Sequence, residues 1–176
     1  MKTLTLLRHA KSGGTDPGLR DFDRPLNAKG RRAAETMGRH FRAVDLAFDR
    51  IVASPAVRVA ETLDAAGAGY GRALAPVWDR RLYLADVATL MEVAREQQAE
   101  RVLLVGHNPG LEELVLALAA ASSGPLRAAV AEKYPTASLA EISFAGPWSE
   151  LSEGGGMLTR FIRPRDVDPA LGPDAD

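Results

Sequence analysis

The sequence has no cysteine, which excludes disulfide bonds, thiolate catalysis and zinc sites built on cysteine. It also has no apolar run that approaches the roughly 20 residues needed to span a bilayer. The apolar run near the N-terminus is too short for a signal peptide, and charged residues follow it at once. These absences predict a cytoplasmic protein with no membrane-spanning segment.

Neither sign of charge is in excess. The 176 residues include 22 lysines and arginines against 23 aspartates and glutamates, which gives a formal net charge of -1. This balance gives no general electrostatic reason to expect a nucleic-acid or membrane partner. We expect a single domain over residues 1–163, followed by a flexible tail over 164–176 in which proline and aspartate recur.

Strand and helix patterns alternate along the chain. The clearest strand is the aliphatic run 101–106, which is typical of a parallel strand buried on both faces. Amphipathic helices are expected to begin after the cap residues Asn27 and Asp86. This alternation predicts an α/β three-layer sandwich with a mostly parallel central sheet, helices on both faces and one antiparallel edge strand. The antiparallel pairing is expected between 138–144 and 157–162.

Cationic or imidazole side chains stand at the ends of three predicted strands: Arg8 and His9, then Arg58, then His107. Because the carboxyl ends of parallel strands share one edge of a sheet, we expect these four side chains to converge. Two guanidinium groups, two imidazoles and two helix N-termini favour an anion, for which a phosphoryl group is the natural candidate. A neutral imidazole nitrogen can attack phosphorus and form a covalent intermediate that water later hydrolyses, and charge neutralisation by this set needs no metal.

Local signals also predict where two helices begin and what the long loop does. Ser54 and Asn108 are each followed by proline, so each is expected to cap a helix. The first of these helices is expected to end at Gly67 and Gly69. The loop 12–26 carries three aspartates whose spacing does not fit a calcium-binding loop, so we interpret them as solvated turn carboxylates.

Three motifs, in order, carry a family resemblance. Arg8-His9-Ala10 resembles the Arg-His-Gly signature of the histidine phosphatase, or phosphoglycerate mutase-like, superfamily. Residues 54–62 resemble its Ser-Pro-x-x-Arg-x-x-x-Thr motif, and 105–109 resemble its third motif. The similarity covers about residues 1–163. Within the superfamily, the short chain and the segment Asp23-Arg24-Pro25-Leu26 look most like the small phosphohistidine phosphatases, the SixA-like branch.

The resemblance implies a role for each site residue. His9 would be the nucleophile and would become phosphorylated during turnover. The phosphoryl oxygens would be held, and their developing charge stabilised, by Arg8, Arg58 and His107. Ser12 and Asn108 would add hydrogen bonds to the substrate. We also expect that neither a metal nor a cofactor takes part, because these residues supply the positioning and charge neutralisation themselves.

The sequence leaves the general acid and the substrate open. Glu112, Asp86 and Asp79 are candidates for the acid, and no motif selects among them. A phosphohistidine leaving group needs less help than an alkoxide, because its departing nitrogen is readily protonated. The expected substrate is therefore phosphohistidine in a signalling or carrier protein, such as a histidine-containing phosphocarrier. The alternatives are a small phosphorylated metabolite or a non-catalytic phosphate-binding module.

Overall fold

The predicted sheet is present in the computed structural model, which describes residues 1–14 and 16–172. Its strands in this part of the chain are β1 (Lys2–Arg8), β2 (Arg50–Ala53), β3 (Val77–Trp78), β4 (Arg101–Gly106), β5 (Leu139–Phe144) and β6 (Met157–Ile162). The helices are α1 (Ala28–Ala43), α2 (Val57–Tyr70), α3 (Val87–Arg95), α4 (Gly110–Leu118), α5 (Pro125–Glu132) and α6 (Pro164–Val167). None of the helices in these described residues has the length and apolar character needed to cross a membrane.

The sheet topology confirms the predicted fold class. The strand order is β3-β2-β4-β1-β5-β6, and β1 to β4 are mutually parallel. β5 runs antiparallel to β1, and β6 pairs antiparallel with β5 at the edge, as the sequence predicts for these two segments. Arg8 pairs with Gly106, and Ala53 pairs with Val105. The carboxyl ends of β1, β2 and β4 therefore lie at one edge of the sheet.

Helices cover both faces of the sheet. On one face, Leu104 of β4 belongs to a buried cluster that includes Leu114 of α4. On the other face, Leu103 belongs to a second cluster, which includes Phe41 of α1 and Leu63 of α2. Successive residues of β4 thus point into different halves of the core, which explains why its sequence is aliphatic throughout.

Helices α1 and α2 approach each other closely through glycine. A Cβ on Gly69 would lie 2.1 Å from the carbonyl oxygen of Glu35 in α1, so no larger residue fits there. The predicted end of α2 at Gly67 and Gly69 is therefore wrong, because both residues lie inside the helix. The helix ends instead at Gly71, whose φ of 88° lies in the left-handed region that glycine adopts readily.

The predicted caps differ in outcome. Asn27 accepts a hydrogen bond from the backbone N–H of Gly30 at 2.8 Å, as predicted. Ser54 does not cap α2, which begins later, because its hydroxyl bonds to a histidine in the site described below. Asn108 lies one residue before the cap position of α4, yet its side-chain oxygen still accepts from the backbone N–H of Glu112 at 3.2 Å.

The prediction of a flexible tail is wrong for residues 164–172. These residues form α6 and then a short 3-10 helix, Pro169–Leu171, and Leu171 is buried in the same cluster as α1 and α2. Asp168 caps the second helix by accepting from the backbone N–H of Ala170 at 3.0 Å. Proline and aspartate here serve as helix-start residues rather than as a disordered composition. Residues 173–176 lie outside the described residues.

Candidate active site

The predicted convergence of the strand ends is present. One open cleft of about 370 Å³ lies at the carboxyl edge of the sheet. All six site residues expected from the sequence line it: Arg8, His9, Ser12, Arg58, His107 and Asn108. The rings of the two histidines lie 5.3 Å apart, measured between their centroids.

His9 is a buried and neutral imidazole. Its Nδ1 lies 2.7 Å from the carbonyl oxygen of Ala10. Because a carbonyl only accepts, Nδ1 carries the proton and donates it, so that the lone pair is on Nε2. Burial lowers the pKa of His9 to about 3. The hydrogen bond with Ala10 opposes this shift, whereas His107 and the charges of Arg8 and Arg58 add to it. At neutral pH its Nε2 is therefore available as a nucleophile.

His107 is also neutral, and both of its ring nitrogens are hydrogen-bonded. Nη2 of Arg58 lies 3.2 Å from Nδ1, and a guanidinium only donates, so Nδ1 is the acceptor. Nε2 then carries the proton and donates to the hydroxyl of Ser54 at 2.8 Å. Burial, and next the charge of Arg58, lower the pKa of His107 to about 4. Ser54, which sequence reasoning used as a helix cap, thus fixes the tautomer of His107.

Asp21 is the counter-ion of Arg58. The guanidinium of Arg58 is only 2% exposed, and its Nη1 and Nη2 donate to the backbone oxygen and to Oδ2 of Asp21 at 2.7 and 2.9 Å. The carboxylate also accepts from the hydroxyl of Tyr83 at 2.5 Å and from Arg24 at 2.8 Å. Partial burial alone would raise the pKa of Asp21, but hydrogen bonds from Tyr83, Arg58 and Arg24 outweigh it and hold the pKa well below its usual range.

Sequence reasoning missed Asp21 and Tyr83. It interpreted Asp21 as a solvated turn carboxylate, whereas the structure places it in the cleft. Tyr83 follows a short 3-10 helix, Arg80–Leu82, and its ring meets that of His107 edge-on at 5.4 Å. The length of the 12–26 loop was the available signal for Asp21, since long loops inside small domains are often functional. No local signal marks Tyr83.

Two further polar residues are held by the same backbone carbonyl. Nη1 of Arg8 and Nδ2 of Asn108 donate to the backbone oxygen of Tyr134, at 3.0 and 3.1 Å. On the other side of the cleft, the hydroxyl of Ser12 accepts from Nη1 of Arg24 at 3.0 Å. These bonds fix the polar walls of the cleft before any ligand arrives.

The three candidate acids have different environments, and none of them lines the described part of the cleft. Asp79 is paired with Arg81 at 2.8 Å, and the hydrogen bond from that arginine lowers its pKa. Asp86 caps α3 by accepting from the backbone N–H of Thr89, which lowers its pKa. Partial burial raises the pKa of Glu112. Within residues 1–14 and 16–172, no group of three histidine, aspartate or glutamate side chains could hold a metal ion.

Comparisons with known proteins identify the family of this chain. Residues 4–83 match the family model for the histidine phosphatase superfamily, branch 1. An uncharacterized protein of Mycobacterium tuberculosis is 35% identical over 164 residues, which are 90% of this chain and 100% of the relative. The chain therefore belongs to the histidine phosphatase superfamily, and its class of activity is that of a phosphatase.

Solved structures place the chain within that superfamily. A crystal structure from Agrobacterium tumefaciens, assigned as the phosphohistidine phosphatase SixA, is 31% identical with a TM-score of 0.77; the match covers 93% of this chain and 98% of that one. A second structure with the same assignment, from Nakamurella, is 28% identical with a TM-score of 0.77 and coverage of 93% and 96%. The chain falls in the SixA-like branch, and its fold is that of the phosphoglycerate mutase-like proteins.

Proposed function

We propose that this chain is a metal-independent phosphatase that dephosphorylates phosphohistidine in a signalling or carrier protein, with His9 as the nucleophile. The observation that carries this proposal is the state of His9. Its imidazole is neutral and buried, its Nδ1–H is held by the carbonyl of Ala10, and it lines the cleft beside two arginines. A neutral nitrogen among fixed cations combines a nucleophile with charge stabilisation for a phosphoryl group.

The proposed first step transfers the phosphoryl group to His9. Arg8 and Arg58 bind the phosphoryl oxygens by charge-assisted hydrogen bonds. A bond forms between Nε2 of His9 and phosphorus while the bond from phosphorus to the substrate nitrogen breaks. The electron pair of the broken bond returns to that nitrogen, and the ring departs neutral once its other nitrogen has taken a proton from solvent.

The second step is hydrolysis of the phosphoenzyme. Water attacks phosphorus, the bond to Nε2 of His9 breaks, and its electron pair returns to Nε2. The proton lost by water passes to solvent, and inorganic phosphate leaves the open cleft. The Nδ1–H of His9 remains on the carbonyl of Ala10 throughout, so that the same nitrogen is ready for another cycle.

The carboxylates favour phosphohistidine over an alkyl phosphate as the substrate. An alkoxide leaving group benefits from a general acid, whereas a ring nitrogen is protonated by solvent. Asp79 and Asp86 are hydrogen-bonded elsewhere, and Asp21 is held ionised by its partners. Partial burial raises the pKa of Glu112, but Glu112 does not line the described part of the cleft. A site without a dedicated acid suits a phosphohistidine substrate better than a small phosphorylated metabolite.

Replacement of His9 tests the nucleophile. A His9→Ala variant incubated with radiolabelled phosphohistidine protein should retain no label, whereas the parent should form an acid-labile phosphoenzyme and release phosphate. His40→Ala is the matched control, because His40 lies on α1 and does not line the cleft. Undiminished phosphate release by His9→Ala would refute the assignment, and binding without release by the parent would favour a phosphate-binding module.

The substrate class is tested by comparison of turnover rates. The parent should dephosphorylate a histidine-containing phosphocarrier protein with a higher kcat/KM than sugar or nucleotide phosphates. The opposite preference would favour the small-metabolite alternative. His9→Ala would remain inactive in both cases, so the two results separate the substrate from the chemistry.

A further inference from the structure

Leu84 differs in character from the rest of the cleft wall. Every other described residue that lines the cleft is charged, polar or a glycine: Arg8, His9, Lys11, Ser12, Gly13, Gly14, Asp21, Arg24, Arg58, His107 and Asn108. Leu84 is 55% exposed, although its side chain is large and apolar. A polar cleft that binds only a phosphoryl group has no need of such a side chain at its rim.

The backbone at Leu84 disfavours leucine. Its φ is 50°, in the left-handed region, where the Cβ of an ordinary residue meets the backbone. Glycine, and to a lesser degree asparagine, adopts this conformation with less strain. Because more than half of the residue is exposed, packing within the chain offsets little of that strain. A large apolar side chain at this strained and exposed position gains little from the rest of the chain and is available for contact with another molecule.

The turn that carries Leu84 is fixed on both sides. The preceding Tyr83 donates its hydroxyl to Asp21 at 2.5 Å and places its ring against His107. The following Ala85 packs so closely on the start of α4 that a Cβ on Gly110 would lie 2.1 Å from the Ala85 carbonyl oxygen. Leu84 is therefore held at a set place on the rim, and its position depends little on loop motion.

We propose that Leu84 is a specificity-determining residue that contacts an apolar surface of the substrate beside its phosphoryl group. This inference rests on the phosphatase function proposed above and adds the chemical character of the substrate around its leaving group. The arginines hold the phosphoryl oxygens, whereas Leu84 covers apolar atoms next to the phosphorus. Covering the exposed half of a leucine side chain changes an affinity by about fivefold.

Non-hydrolysable probes test this contact separately from catalysis. Phenylphosphonate and methylphosphonate carry the same anionic group with a large and a small apolar substituent. In calorimetric titrations the parent should bind phenylphosphonate about fivefold more tightly than methylphosphonate, and Leu84→Asn should remove this preference without lowering the Tm. Leu19→Asn is the matched control, because Leu19 is 42% exposed and does not line the cleft.

A hydrolysis assay shows which part of the substrate supplies the apolar surface that contacts Leu84. If Leu84→Asn raises KM for a phosphohistidine protein and for free phosphohistidine alike, the contact is with the imidazole ring. If it raises KM for the protein alone, the contact is with the protein surface around that ring. A preference for phenylphosphonate that survives in Leu84→Asn, or an equal loss of affinity for both phosphonates, would overturn the role of Leu84. Failure of the proposed function would give a different result. The parent would then form no phosphoenzyme, although its binding of phosphonates would still depend on Leu84.

Discussion

Burial of neutral His9 makes the stability of this protein depend on pH in a defined window. In the folded chain the pKa of His9 is about 3, whereas an exposed histidine titrates near 6.5. A group whose pKa is depressed by folding adds stability above its unfolded pKa and loses it as the pH falls toward its folded pKa. At pH 5 the unfolded state has bound a proton that the folded state excludes, so His9 alone should reduce the free energy of unfolding by about 2 kcal/mol relative to pH 8.

Urea unfolding at pH 8 and pH 5, for the parent and for His9→Gln, measures this contribution. Glutamine keeps a polar side chain at the site but does not titrate. The loss of stability between the two pH values should be smaller in the variant by about 2 kcal/mol. Comparing the two losses cancels any pH-independent cost of the substitution itself. His107→Gln should behave similarly, because the pKa of His107 is lowered to about 4.

The same measurement bears directly on the chemistry. A depressed pKa means that Nε2 of His9 keeps its lone pair at pH 5, where an ordinary histidine would be protonated in all but roughly one molecule in thirty. If His9→Gln and the parent lost equal stability between pH 8 and pH 5, His9 would titrate normally. That result would refute the burial argument and with it the basis for a neutral nucleophile.

Three further predictions concern two residues around the histidines and the role of a metal. Asp21→Asn should lower the free energy of unfolding by about 1 kcal/mol at neutral pH, because buried Arg58 loses its charged partner. Asp23→Asn is the control: Asp23 pairs with an exposed arginine at the surface, so its substitution should change the free energy little in the same urea titration. Ser54→Ala leaves the Nε2–H of buried His107 without its acceptor and should cost about 1–3 kcal/mol by urea unfolding. A chelator should leave phosphate release unchanged, and loss of activity on chelation would show that a metal takes part.

Much of the fold and the central residues of the candidate site could be predicted from the sequence. The fold follows from the periodicity of apolar residues, and the site follows from the sheet edge that the ends of parallel strands share. The aliphatic run of β4 is a direct consequence of burial on both faces. Once the strands are known, parallel topology alone brings Arg8, His9, Arg58 and His107 to one edge. No side-chain detail is needed for that step.

The incorrect predictions have one physical cause. Partners near a residue in the sequence compete with partners that the fold brings from distant parts of the chain. Ser54 next to proline is a local signal for a helix cap, but its hydroxyl bonds to His107, which lies far away in the sequence. Gly69 is a local stop signal, but its missing Cβ allows α1 to approach. Asp21 is a turn residue by composition and becomes a counter-ion only because its backbone oxygen and carboxylate accept from Arg58. Local rules could not predict these pairings, since each partner comes from another part of the chain.

The depressed pKa of His9 also affects the charge of its imidazole when a phosphorylated substrate binds. A phosphoryl dianion bound between Arg8 and Arg58 brings negative charge next to the imidazole, and a nearby opposite charge raises the pKa of a histidine by about 1–3. A histidine that titrates near 6.5 would then be protonated at neutral pH, and its Nε2 could no longer attack. Because burial sets the pKa of His9 at about 3 before binding, the same increase leaves the ring neutral. In the proposed mechanism, burial therefore keeps the Nε2 of His9 unprotonated in the complex, where its charge state decides whether transfer occurs.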